Sequence, residues 1–360
     1  MRFRYQALIA VLAYAAQAQP QTATKADSGW ISLFNEVDFS GLYVFESGKG
    51  RVDAKAQTDF TVESGIIKVK GSPGGFLGTI RQYSHYRARV EYQWPAGTPG
   101  NANSGLLIHL DSAAIFSGAY TSGGRPRSIE VNCRRDNNYP WSLWSANRLG
   151  PYITSTVTSI PAAGVQGQYK PAGIAWTNNP WGDNNRIVSG DLQANPESAI
   201  GQWNRGEAHL FGDSGVFILN GQVRTRGWNF RNRVQPADAT PTVACTKGNI
   251  GLQSEGAPIS FRNFEIQELD PATGIPLHAR RGCTDRGSTR YDPRAVEENG
   301  SCAASTALTG SGSRRAGTLR FRARDMDKAL AAFPDRSSRT QWFDMAGRAE
   351  GQAGSEKQTR

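Results

Sequence analysis

The segment from Tyr86 to Trp94 alternates strictly between apolar and polar side chains. The apolar set is Tyr86, Ala88, Val90, Tyr92 and Trp94, and the polar set is Arg87, Arg89, Glu91 and Gln93. A repeat of two residues is the period of a β-strand, because successive side chains point to opposite faces. A strand with one apolar face needs a second layer to cover that face, so the segment predicts a layered β-structure.

Shorter strand patterns and turn signals recur between residues 29 and 269. Ser64-Gly65 separates two alternating runs, and Asn220-Gly221 is the strongest two-residue hairpin signal. Further short strand patterns lie at 105–109, 128–132, 250–253 and 259–267. The same region shows no convincing period of 3.6 residues. Many short strands joined by Gly-rich turns predict an all-β fold, a sandwich of two sheets.

The net charge of +10 is concentrated near the chain ends. Residues 279–360 hold 16 Lys and Arg against 10 Asp and Glu, and residues 1–18 add two arginines. The body between them has 23 basic and 21 acidic residues, which is nearly neutral. Nucleic-acid binding needs a concentrated basic face, so a nucleic-acid partner is not expected. Past the N-terminus, the chain has no apolar run long enough to span a membrane, so no membrane span is expected.

The first 18 residues have the pattern of a signal peptide. Arg2 and Arg4 precede the apolar stretch 7–16, and Ala16-Gln17-Ala18 supplies small residues for cleavage. We therefore expect a secreted or periplasmic protein, cleaved near Ala18 and followed by a flexible leader over 19–28. An N-terminal core helix is the alternative.

The chain changes character after the last strand pattern. Residues 29–270 are predicted to form the β-domain. Residues 271–360 are predicted to form a low-complexity basic tail, mostly disordered, because this tail offers little apolar surface to bury.

Four cysteines occur, and their spacing matches no zinc motif. Three disulfide pairings of Cys133, Cys245, Cys283 and Cys302 are compatible with the sequence, and plain burial of Cys133 and Cys245 is a further alternative.

Several short motifs, in order along 29–269, resemble those of the 3-keto-disaccharide hydrolase family. They are Gly29-Trp-Ile-Ser-Leu-Phe-Asn35, Gly74-Gly-Phe-Leu77, the strand 86–95, Asn103-Ser-Gly105, Ser128-Ile-Glu-Val-Asn132, Gly201-Gln-Trp-Asn204, Leu219-Asn-Gly221, Ile250-Gly-Leu-Gln-Ser-Glu-Gly256 and Phe261-Arg-Asn-Phe264. The resemblance implies a concanavalin-like jelly roll with a ligand groove on the concave sheet face, and a carbohydrate partner. The chain departs from many members at His109, where they have Arg, and at Ser254-Glu255, where one subgroup has Asp-His.

The activity that the resemblance implies is cleavage of 3-keto-disaccharides or related glycosides by elimination and hydration. The ketone at C3 acidifies the C2 proton, so the site needs a base and an electrophile for the enolate oxygen. Glu130 is the leading candidate base, because Ile129 and Val131 point to the core and leave Glu130 and Asn132 on the other face. His109 is a candidate acid or metal ligand on a neighbouring strand, and Glu255 a second carboxylate.

The predicted substrate-binding residues are polar groups near these strands and tryptophans in the long loops. They are Arg81, Asn103, Ser104, Asn132, Trp141, Trp144 and Gln253, with Trp176 and Trp181 as further stacking candidates. Each has a structural alternative: a salt-bridged surface glutamate for Glu130, a buried structural histidine for His109, an ion pair for Arg81, a turn cap for Asn103 and Ser104, and loop packing for the tryptophans. The sequence requires no cofactor, and a divalent metal is compatible with it.

Two other functions fit the same fold. A non-catalytic carbohydrate-binding module has the same architecture, since one fold hosts both roles. An ordinary glycoside hydrolase with paired carboxylates would cleave unoxidised sugars.

Overall fold

The structure, a computed structural model, describes most of the chain between Asp27 and Cys302. The described residues are 27–55, 57–111, 127–135, 140–146, 151–161, 166–178, 186–190, 195–232 and 243–302. The predicted signal peptide and most of the leader, and residues 303–360 of the predicted tail, lie outside these ranges. The described residues contain no helix, so none of them forms a helix that could cross a membrane.

Eleven strands form one sheet. They are β1 (Ile31–Ser32), β4 (Phe60–Glu63), β5 (Ile66–Val69), β7 (His85–Gln93), β11 (Tyr152–Val157), β13 (Ile174–Thr177), β15 (Asn204–Phe211), β16 (Ser214–Leu219), β17 (Gln222–Asn232), β18 (Val243–Ala244) and β20 (Ile259–Glu268). The strand order is β13-β11-β17-β16-β15-β7-β20-β5-β4, with β1 on β20 and β18 on β17. The predicted strand 86–94 is therefore the central β7.

Nine strands form the second sheet. They are β2 (Leu42–Glu46), β3 (Gly50–Val52), β6 (Gly75–Thr79), β8 (Gly105–Leu110), β9 (Ser128–Asn132), β10 (Ser142–Ala146), β12 (Gly167–Gln168), β14 (Arg186–Ser189) and β19 (Asn249–Ser254). The order is β12-β14-β10-β9-β8-β19-β6-β2-β3, and every pair except the parallel β12 and β14 is antiparallel. Together the two sheets confirm the predicted all-β jelly-roll sandwich.

The hydrophobic core lies between the two sheets. It takes Tyr86, Ala88, Val90 and Tyr92 from β7, and Ile129 and Val131 from β9. The alternating burial of β7 is the pattern expected of a strand with one covered face. Because Ile129 and Val131 enter this core, Glu130 and Asn132 point away from the eleven-stranded sheet. We call this side of the nine-stranded sheet the outward face.

Both predicted hairpin turns are present. Ser64-Gly65 joins β4 to β5, and Asn220-Gly221 joins β16 to β17. All four residues have a positive φ, between 49° and 80°. This is the conformation that two-residue hairpins of type I′ require, and Asn and Gly tolerate it best.

Residues 279–302 differ from the prediction of a mostly disordered tail. With Asp27 and Ser28 they form a compact unit of their own, separate from 29–278. Strands β21 (Arg281–Gly282) and β22 (Glu297–Glu298) pair in parallel, Cys283 is disulfide-bonded to Cys302, and Arg294 forms an ion pair with the buried Asp27. A covalent link and an ion pair to a buried carboxylate order this segment where apolar surface is scarce.

Candidate active site

Glu130 and Asn132 lie on the outward face of the nine-stranded sheet, near its middle. On β10, Trp144 is the register partner of Glu130, and Ser142 is the partner of Asn132. On β8, Leu107 lies opposite Glu130 and Gly105 opposite Asn132. The Glu130 side chain is therefore flanked by an indole on one strand and a leucine on the other, and the residue is only 2% exposed.

A chain of side-chain hydrogen bonds runs from Glu130 to Glu255. Asn132 Nδ2 donates to Glu130 Oε1 at 2.7 Å and to Asn103 Oδ1 at 3.1 Å. Asn103 Nδ2 donates in turn to Glu255 Oε2 at 2.5 Å. Two carboxylates and two amides are thus linked through donors and acceptors of complementary type.

Gln253 closes this chain into a ring. Its Nε2 donates to Glu255 Oε2 at 2.9 Å and to Glu130 Oε2 at 3.4 Å. The two carboxylate oxygens are therefore no farther apart than the sum of these distances, below the limit of about 8 Å within which two groups can act on one sugar ring. We call Asn103, Glu130, Asn132, Gln253 and Glu255 the amide–carboxylate ring. All five were predicted as site residues.

The ring surrounds both glutamates with amide donors. Each carboxylate accepts N–H groups from two amides. Glu130 receives a donor on each oxygen, which fixes the plane of its carboxylate. A carboxylate held in one orientation is suited to take up a proton from a bound ligand.

An apolar cluster extends the outward face beyond the ring. Tyr43, Phe45, Phe76, Leu107 and Leu110 pack together, with Phe45 and Phe76 stacked at a ring separation of 5.0 Å. Burial raises the pKa of the Tyr43 hydroxyl. Sequence reasoning missed this cluster, although the apolar residues at alternate positions of β2 and β8 could have indicated it.

Ser104 has a structural contact rather than a place in the ring. The residue is fully buried, and its Oγ donates to the backbone oxygen of Gln253 at 2.7 Å. This bond ties the start of β8 to β19, next to the ring. The prediction that Ser104 bonds a ligand is replaced by a role in holding the two strands together.

His109 does not lie beside Glu130, contrary to the prediction. The register of β8 against β19 shifts between Leu107 and Leu110, and His109 has a φ of 48°. This bulge turns the side chain to the core side, where Nε2 bonds the backbone oxygen of Gly212 at 2.9 Å and the ring packs edge-on against Phe230. Burial lowers the pKa of His109 to about 4, so the imidazole is neutral at pH 7.

Trp141 and Trp144 lie on opposite sides of the nine-stranded sheet. Trp141 is fully buried in the core, stacks on Tyr92, and donates Nε1–H to the backbone oxygen of Glu207 at 2.9 Å, so it cannot stack on a ligand. Trp144 is half-buried on the outward face opposite Glu130. Trp176 is on β13 and packs partly against the core, and Trp181 lies outside the described residues.

Arg81 lies away from the ring, in the turn after β6. Its two terminal nitrogens each bond one oxygen of Glu268 at 2.6 Å, and the guanidinium lies over the ring of Tyr83. This confirms the structural alternative, an ion pair with an acid of the other sheet. Arg81 is therefore not placed to stabilise an enolate at Glu130.

The family of the chain follows from its sequence match. A sequence model of the 3-keto-alpha-glucoside-1,2-lyase-like domain, the 3-keto-disaccharide hydrolase family, matches residues 29–267. The chain belongs to this family. The matched range contains both sheets, apart from Glu268 at the end of β20, and the whole amide–carboxylate ring. No curated protein sequence matches this member of the family.

Several solved structures are similar to this family member. A candidate glycosyl hydrolase from Parabacteroides distasonis ATCC 8503 is 17% identical, over 70% of this chain and 100% of that chain, with a TM-score of 0.42. The carbohydrate-binding module CBM66 from Bacillus subtilis is 11% identical, over 66% and 94% of the two chains, with a TM-score of 0.33. A β-glucanase from Bacillus licheniformis is 11% identical, over 69% and 98%, with a TM-score of 0.32.

Within the part of the chain that the structure describes, no cluster of three or more His, Cys, Asp and Glu side chains with ligand atoms close enough to hold a metal ion includes Glu130 or Glu255. The pairing of His109 with Glu130 as metal ligands is not formed, because His109 is on the core side. Among the described residues, Cys283, Glu298 and Cys302 bring three ligand atoms together, but the two sulfurs are bonded to each other. A divalent metal remains compatible with the sequence.

Proposed function

We propose that the chain is an exported carbohydrate-active enzyme that cleaves 3-keto-disaccharides or related glycosides by elimination and hydration. The observation that carries the proposal is the amide–carboxylate ring, which joins Glu130 and Glu255 on the outward face of a sheet in a member of this family. A sugar with a carbonyl at C3 has a labile proton at C2, and Glu130 is the base assigned to it.

The reaction follows from proton transfer to Glu130. The carboxylate takes the C2 proton, the electron pair forms the enolate, and the C1–oxygen bond breaks as the C1–C2 double bond forms. The departing oxygen takes a proton from water. The remaining hydroxide adds at C1, and Glu130 returns its proton to C2. The sum is hydrolysis of one glycosidic bond by one water molecule.

The other ring members have distinct tasks in this proposal. Asn132 and Gln253 hold the base in one orientation through their N–H groups. Asn103 has two amide hydrogens, and one of them is bound to Glu255. We assign the other to the carbonyl oxygen of the substrate, where negative charge develops. Trp144 offers an apolar surface for the pyranose face.

A non-catalytic carbohydrate-binding module is the second candidate. The observation that favours it is the burial of Glu130, which is only 2% exposed and bound to two amides. A buried polar network of this kind can serve only to order the sheet.

Incubation of the protein with a 3-keto-disaccharide and with its unoxidised parent separates the candidates. We expect a reducing sugar from the oxidised substrate alone, and a loss of at least about 100-fold in kcat for Glu130→Gln. Glu63→Gln, at an exposed position on β4, is the matched control and should keep full activity. Binding without turnover would favour the module, and cleavage of the parent sugar would indicate an ordinary glycoside hydrolase.

Export is part of the proposal and has separate support. The N-terminal pattern favours a signal peptide, and the Cys283–Cys302 disulfide is typical of an oxidising compartment. We expect the mature protein recovered from the producing cells to begin at Gln19. Mass spectrometry of its N-terminal peptide tests this, and a retained Met1 would contradict it.

A further inference from the structure

Gly105 lies between the two halves of the amide–carboxylate ring. It is the first residue of β8 and the register partner of Asn132 on β9. On its other side, β19 carries Gln253 one residue beyond Leu252, the partner of Leu106. Strand β8 therefore lies between Glu130 on β9 and Gln253 on β19. Its residue beside the contact between these two side chains is Gly105, which has no side chain of its own.

A side chain at position 105 would enter the space that the ring occupies. An ideal Cβ there would lie 2.9 Å from Glu130 Cγ and 3.3 Å from Gln253 Oε1. It would also lie 2.8 Å from the backbone oxygen of Val131. Gly105 does not have a positive φ, so the backbone conformation itself would accept alanine. Steric contact, with the ring and with the Val131 backbone, is therefore what alanine would change.

We propose that Gly105 is a positioning residue for the proposed reaction, because its missing side chain lets Glu130 and Gln253 close the ring. The inference rests on the proposed function, since it concerns the same carboxylate. A Cβ at position 105 turns the Glu130 side chain and separates its Oε2 from Gln253 Nε2, a bond already at 3.4 Å. The base then loses the Gln253 amide as a donor that orients it.

Gly251 offers a matched control on the same sheet. Its ideal Cβ would lie 2.9 Å from the backbone oxygen of Leu77, close to the 2.8 Å found at Gly105. Its other neighbours are the apolar side chains of Phe76 and Leu110, which are outside the ring. Gly100 provides a second control, because nothing lies within 4 Å of its ideal Cβ.

The test compares Gly105→Ala, Gly251→Ala and Gly100→Ala in the whole protein. We expect Gly105→Ala and Gly251→Ala to lower the melting temperature by similar amounts and Gly100→Ala to leave it unchanged. Only Gly105→Ala should lower kcat, by roughly 10- to 100-fold, with KM within about 2-fold, since orientation of the base and not binding is affected. Equal kcat for Gly105→Ala and Gly251→Ala would overturn the inference.

A second readout does not depend on turnover. In NMR spectra of protein labelled with ¹³C at the glutamate side-chain carboxyl, the resonance that is lost in Glu130→Gln belongs to Glu130. Gly105→Ala should shift this signal, and Gly251→Ala should leave it in place. If the wild type shows no turnover but this pattern holds, the proposed function fails and the positioning role stands. An unmoved Glu130 signal in Gly105→Ala would refute the positioning role.

Discussion

Trp144 and Glu130 are direct register partners in the antiparallel pair of β10 and β9. Partners in such a pair have their side chains on the same face, with Cβ atoms about 5 Å apart. The carboxylate assigned as the base thus has an indole beside it on the outward face. This is the arrangement that a sugar ring would need to stack on one group and offer a proton to the other.

Trp144→Ala should weaken sugar binding. Loss of an aromatic surface under a pyranose ring costs on the order of 1–2 kcal/mol, so we expect KM to rise about 10-fold with little change in kcat. Trp141→Phe is the control, because Trp141 is buried in the core and should affect the melting temperature instead. Isothermal titration with the sugar checks the affinity, and unchanged binding in Trp144→Ala would contradict the stacking role.

His109 should make the protein less stable in mild acid. Burial lowers its pKa in the folded state to about 4 from the usual value of 6.5, so the unfolded chain binds the extra proton between these two pH values. Stability therefore falls as the pH is lowered from about 6.5 to about 4, by up to roughly 3 kcal/mol.

Denaturant unfolding at several pH values measures this effect. Burial also lowers the pKa of His85, so the wild type alone does not isolate His109. His109→Gln should flatten the curve over this pH range, and a curve with the wild-type slope would show that His109 does not contribute.

Arg81→Ala should leave the activity intact. The guanidinium binds Glu268 in a bidentate manner, but the Arg81 side chain is 64% exposed and water screens the pair. We expect a loss of about 1 kcal/mol or less in unfolding free energy and an unchanged kcat and KM. A large fall in kcat would show that Arg81 reaches the substrate after all.

The number of cysteines that react with an alkylating agent should depend on unfolding and on reduction of the disulfide. Cys133 and Cys245 are buried and unpaired, and burial raises the pKa of the Cys245 thiol to about 12. We expect no alkylation of the native protein, two labelled cysteines after unfolding without reductant, and four after unfolding with reductant. Mass spectrometry of the labelled peptides checks the Cys283–Cys302 pairing.

Strands and turns whose signals lie in neighbouring residues could be predicted from the sequence. The alternation in 86–94 gave β7, and Asn220-Gly221 gave the β16–β17 turn, because both signals depend only on neighbouring residues. The same rule placed Glu130 and Asn132 on the face opposite Ile129 and Val131.

His109 shows where the alternation rule fails. Counting from Gly105 predicts that His109 shares a face with Gly105 and Leu107, but a single bulge reverses its direction. Trp141 is a second case, since its partner for stacking, Tyr92, belongs to the other sheet. Neither a bulge nor a contact between sheets leaves a reliable signal in the neighbouring residues.

The sequence by itself predicted several of the strands, the core-facing sides of β7 and β9, the family, and the five residues of the amide–carboxylate ring as candidates. Only the tertiary structure decided that these five meet and that His109, Arg81 and Trp141 do not. Asn103 and Glu255 are 152 residues apart in the chain, and the order β9-β8-β19 brings them into contact. The physical reason is that side-chain direction is set by the local backbone, whereas contact between strands depends on sheet order and register, which the whole core determines.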